Sequence, residues 1–108
     1  MGKLSSKDVK IDVTPADGNV FEDLGFSAEE AARLALKTDL AVFILKWIES
    51  KQLTQLEAAG VLRVTRPEVS LLKNIRLEKF STDKLIDMVY RVGGSVELRI
   101  RKSSSRAA

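Results

Sequence analysis

With 108 residues, 44% of them hydrophobic and 31% charged, the chain has room for one small domain around a single core. It contains no Cys and no His, which excludes disulfides, thiolate or imidazole metal sites, and nucleophile–His catalytic pairs. The net charge of +3 is uneven: residues 1–26 hold three Lys against five acids, residues 53–80 five basic residues against three acids, and residues 81–108 six against three. Such a placement suits a polyanion bound to the second half of the chain, and also suits a plain solvated surface.

Residues 1–26 contain Gly2, Pro15, Gly18 and Gly25 and show no helical period, so they read as an extended N-terminal arm. Inside the arm, Val9, Ile11 and Val13 alternate with Lys10 and Asp12 at the spacing of a short strand. Val20, Phe21, Leu24 and Phe26 lie in a segment too short to bury them, and need a docking surface on this chain or another. Ser27 with Glu30 is a capping box that opens a long helix to about Ser50. One apolar stripe runs Leu34, Thr38, Ala41, Leu45, Ile48 and a second runs Leu36, Leu40, Phe43, Trp47, so this helix is buried on more than one side. Its most apolar run, residues 40–48, falls far short of the roughly 20 residues needed to span a bilayer. With no signal peptide, a cytoplasmic location is expected.

Residues 53–74 organise the rest. Thr54 with Glu57, and Thr65 with Glu68, are two capping boxes eleven residues apart, and Pro67 falls in the first turn of the second helix. Leu62, Arg63 and Val64 leave space only for a tight turn, so helices 54–62 and 65–73 must cross steeply. Ala58 and Ala59 offer a surface for close approach, and Val69 and Leu72 form the buried stripe of the second helix. This is the pattern of a DNA-binding helix-turn-helix. Residues 75–80 form a basic linker, and Ser81 caps a helix with Leu85, Ile86, Val89 and Val92 inward. Gly93-Gly94 ends it. In residues 95–101, Val96, Leu98 and Ile100 alternate with charges, which predicts a β-strand. Its mate is either residues 9–13 or the same strand of a second copy, the latter making Val96, Leu98 and Ile100 a dimer interface. Residues 103–108 are expected to form a disordered tail. The expected domain is therefore all-α, residues 27–102, with five or so helices and a C-terminal strand.

In the major groove, the N-terminal residues of the second helix would lie nearest the base edges. Arg66 is the first candidate for readout, since a guanidinium can bridge guanine O6 and N7. Thr65, Pro67, Ser70 and Leu71 share that exposed side, Leu71 as an apolar contact to a thymine methyl. Lys73, Asn74, Arg76 and Lys79 are candidates for phosphate. Acids such as Glu29, Glu30, Asp83 and Asp87 are explained as helix-start charges and a solvated face, and no glycine-rich phosphate loop follows a strand, so an enzyme, a metal or a cofactor is not expected.

The run from Asn19 to Gly25 (NVFEDLG), the set Leu40, Trp47, Ile48, Leu53-Thr-Gln, Glu57-Ala-Ala, the set Val64-Thr-Arg-Pro, Val69-Ser, Lys79-Phe-Ser, Leu85, and the closing Val96-Glu-Leu-Arg-Ile resemble the Xre-type helix-turn-helix antitoxins (HigA-like). The resemblance spans residues 19–100. It implies a lambda-repressor-like fold, a homodimer that binds operator DNA and represses its own type II toxin-antitoxin operon, and a RelE-like ribonuclease toxin as partner. It also makes Gln55 similar to a phosphate-binding glutamine. Charge adds to this: a toxin that holds RNA is basic, so the acidic arm, with Val20, Phe21, Leu24 and Phe26 as anchors, suits a toxin contact. The alternative is that Phe21 and Leu24 fold back onto Leu34 and Leu36 and cap the bundle. Arg63 stands where the family usually has Gly, Gly60 interrupts the first helix, and Glu68 and Leu71 replace basic or polar residues common in relatives. A stand-alone Xre-type regulator, or an interaction module that has lost DNA readout, are the alternatives.

Overall fold

Four helices start on the same local device. Ser27, Thr54, Thr65 and Ser81 stand in extended backbone, and each hydroxyl accepts from the backbone N–H three residues on, at 3.0–3.2 Å. The computed structural model describes residues 20–100. Among them are α1 (Val20–Asp23), α2 (Ala28–Ser50), α3 (Gln55–Leu62), α4 (Arg66–Lys73), one 3-10 turn (Leu77–Lys79) and α5 (Thr82–Arg91). The two expected capping boxes of α3 and α4 are complete: Glu57 accepts from the Thr54 N–H and Glu68 from the Thr65 N–H, each at 2.9 Å. The box expected at Ser27 is only half made. Glu30 turns to Arg33 instead, at 2.8 Å, because an i,i+3 cation competes for its carboxylate.

Helix ends repeat a second device. The last turns of α2, α3, α4 and α5 each close with a residue in left-handed backbone: Gln52 (φ 54°), Arg63 (φ 61°), Ile75 (φ 55°) and Gly93 (φ 89°). The following N–H then reaches back five residues, as in Leu53 to Ile48, Val64 to Ala59, Arg76 to Leu71 and Gly94 to Val89, at 2.9–3.2 Å. Only Gly93 holds that geometry free of Cβ strain.

The core is built where α2 packs on α5 and α3 on α4. Leu40, Ala41, Ile44 and Ile48 of α2 are buried together with Ala58, Ala59, Leu62, Val69, Leu72, Leu77, Phe80, Leu85, Met88, Val89 and Val92. The fully buried line of α2 passes between the two stripes read from the sequence, through Ile44, and leaves both stripes largely half-buried as its flanks. Gly94 is buried against α2, and a Cβ there would sit 2.7 Å from the Phe43 ring.

Three expectations need revision or lie out of reach. The end of the arm is not extended: residues 20–23 form a helical turn that lies on α2. Residues 95–100 carry no strand among the described residues. A strand exists only by pairing, and both expected mates, residues 9–13 and a second copy, lie outside what is described, as does the 103–108 tail. The linker at 75–80 is not merely solvated, since Leu77 and Phe80 enter the core.

Candidate nucleic-acid interface

The helix-turn-helix is α3, a left-handed turn at Arg63, and α4. Ala58 and Ala59 are buried, so α4 approaches α3 closely, and Val69 and Leu72 pin its inner face. A helix repeats every 3.6 residues, which puts Pro67 opposite that face, with Arg66 and Ser70 to one side and Leu71 to the other. Arg66 and Pro67 are exposed and Ser70 is half-buried. Arg66 sits in the first turn and has no ion-pair partner among the described residues. Leu71 is half-buried and packs on the core, which accounts for its apolar character and takes it partly away from any ligand.

Two bonds from α5 fix this unit. Lys84 Nζ donates to Glu68 Oε2 at the start of α4. That pairing, with the Thr65 N–H bond next, holds the Glu68 carboxyl below the ordinary glutamate range. Glu68 is therefore neither an uncompensated charge nor free to face a phosphate. Arg91 donates to the Leu62 carbonyl at 3.0 Å, satisfying an end-of-helix acceptor beside the strained Arg63. Neither α5 contact was visible as a sequence motif; only the basic character of Lys84 and Arg91 was.

The expected phosphate contacts divide. Lys73 and Lys79 are exposed and without ion-pair partners among the described residues. Asn74 is occupied, its side-chain amide donating to the Ser70 carbonyl at 2.9 Å. Arg76 is paired with Glu78 at 3.1 Å. The Glu78 carboxyl is lowered by its own backbone N–H and then by Arg76. Thr65 is exposed but its hydroxyl is committed to the cap, and Gln55 opens α3 half-buried.

The other expected surfaces are also separable. In the arm, Phe21 is half-buried and meets Phe26 edge-to-face at 6.2 Å, whereas Leu24 is 68% exposed and Phe26 is also exposed. Val20 opens α1. At the C-terminal end, Val96 packs on the core of its own chain and its N–H donates to Tyr90 Oη at 3.2 Å. Leu98 and Ile100 are exposed, Ile100 at 93%. Among the described residues, no group of acids is arranged to hold a metal, and no helix is long and apolar enough to cross a membrane.

The helix-turn-helix domain family model matches residues 20–101, three quarters of the chain and all of the geometry just described. This chain belongs to that family. A solved structure described as an XRE family transcriptional regulator is 34% identical, with a TM-score of 0.63, over 68% of this chain and 83% of that one, which makes the chain an XRE-type helix-turn-helix protein. No curated protein matches the chain.

Proposed function

We propose that this chain is a DNA-binding transcriptional regulator that inserts α4 into the major groove of an operator. The observation that carries it is α4 itself: buried on Val69 and Leu72, capped, and presenting Arg66 with no carboxylate partner among the described residues. Arg66 reads a base edge, with Pro67 and Ser70 beside it, while Thr65 caps the start of α4 and Gln55, the first residue of α3, holds a phosphate. Lys73 and Lys79 hold phosphate; Asn74 and Arg76 do so only by giving up their present bonds. The pairing of Glu68 with Lys84 and the packing of the half-buried Leu71 give both residues a structural role, which weakens the reading as an interaction module without DNA readout. Selecting duplexes from a random pool with the full chain tests this: an enriched palindrome is expected, and a pool that stays random contradicts it.

On this proposal the chain binds as a homodimer, with Leu98 and Ile100, and Val96 beside them, joining two copies and half-sites about 34–36 Å apart; the exposure of Leu98 and Ile100 supports it. The stand-alone regulator agrees with the solved XRE-family relative. The finer reading, an antitoxin repressing its own operon, is favoured by the exposed Leu24 and Phe26, which suit a basic RelE-like toxin docking on Val20, Phe21, Leu24 and Phe26. Leu24→Asp separates the two. An antitoxin loses its toxin and keeps its operator, whereas a stand-alone regulator captures no basic ribonuclease encoded beside it with either version.

A further inference from the structure

We propose that Ile75 is a DNA-backbone contact, packing its side chain on a deoxyribose between phosphates held by Lys73 and Lys79. The inference rests on the operator-binding reading and adds to it a residue that the sequence did not single out. Ile75 has a φ of 55°, and a β-branched residue in left-handed backbone is a true outlier. After α1 and α5 the same geometry falls on Gly25 (φ 99°) and Gly93 (φ 89°), and after α2 and α3 on the unbranched Gln52 and Arg63. At the end of α4 the chain keeps a strained isoleucine instead. Core packing does not account for this choice, because the residue remains 46% exposed.

Its setting supplies the missing reason. Ile75 follows the C-cap of α4 directly, with the exposed Lys73 two residues before it and Lys79 four residues after. Residues past the C-terminal end of a recognition helix lie farther from base edges than its first turn, and meet the sugar-phosphate wall. Between phosphates, that wall offers the apolar face of deoxyribose. An exposed aliphatic side chain flanked in sequence by two cations unpaired among the described residues, with the Arg76–Glu78 pair between it and the second, is matched to it, and strain held at such a position has a use.

The test measures affinity of the full chain for a duplex that the wild type selects from a random pool, with Ile75→Leu, Ile75→Asn and Ile75→Gly. Each variant is assayed well below its melting temperature. Affinity should follow apolar side-chain volume: Leu within about twofold of wild type, Asn and Gly weakened about five- to tenfold. The salt slope should stay unchanged, since an apolar contact releases no counterion. Asn and Gly variants binding as tightly as wild type would overturn the inference, as would losses that track melting temperature across the three. If the wild type selects no duplex, it is the operator-binding reading that fails.

Discussion

Lys84 of α5 reaches sixteen residues back to Glu68, and that bond ties the start of α4, already seated in the core through Val69 and Leu72, to α5. Glu68 thereby serves both as the reciprocal cap of Thr65 and as the anchor of α4 on α5. Because its folded carboxyl lies below the ordinary glutamate range, its contribution to stability is complete above that range and is lost as the pH falls from that range through the lower folded value. Glu68→Gln should cost about 0.5–1 kcal/mol at neutral pH, a small value because Lys84 is 37% exposed and solvent screens the pair. In urea titrations, the gap from wild type should close well below the glutamate range. A constant gap would remove the charge from the explanation.

Arg63→Gly should stabilise the protein. The left-handed backbone at Arg63 costs about 1–2 kcal/mol with a Cβ, of which the greater freedom of unfolded glycine returns part, leaving a net gain of about 0.5–1 kcal/mol. Gly60→Ala should add about 1 kcal/mol by helix propensity, because a Cβ there meets nothing within 4 Å. Thermal melts of the two single variants and the double test both values. A destabilised Gly60→Ala would show an unseen close approach at that helix.

Gly94→Ala acts in the opposite direction. Its Cβ would lie 2.7 Å from the Phe43 ring and 2.9 Å from Val89, so ring and chain must separate, at about 1–2 kcal/mol. Phe43→Leu should recover part of that loss in the double variant, and an additive pair would mean that the clash is relieved elsewhere.

Truncation after Gly94 removes Val96, Leu98 and Ile100. If these join two copies, sedimentation should show a monomer and operator affinity should fall with it. A truncated chain that remains dimeric would move the interface to another face of the molecule.

The helix-turn-helix was legible in the sequence because its determinants are local. Thr54 with Glu57, and Thr65 with Glu68, act across three residues and fix both starts, and the three residues 62–64 left between them allow only a tight turn. Ile44 was missed because α2 is apolar on nearly every side, so periodicity cannot choose among neighbouring stripes. Leu77 and Phe80 were missed because six residues are too few to show a period. Lys84–Glu68 and Arg91–Leu62 are tertiary contacts with no local signature. Ile75 gave no sign of its left-handed backbone, since nothing in an isoleucine favours it. The strand expected at 95–101 is not seen over residues 95–100 for a different reason: alternation shows that a segment can pair, and supplies no mate.

The most direct test of DNA readout compares Arg66→Ala with wild type on the selected duplex and on random duplex. Lys79→Ala serves as the reference: it should weaken both alike and reduce the salt slope by about 1. Arg66→Ala should lose about 1–3 kcal/mol on the selected duplex, little on random duplex, and relax preference at one base pair. Equal losses on both duplexes would assign Arg66 to the backbone and contradict base readout by α4.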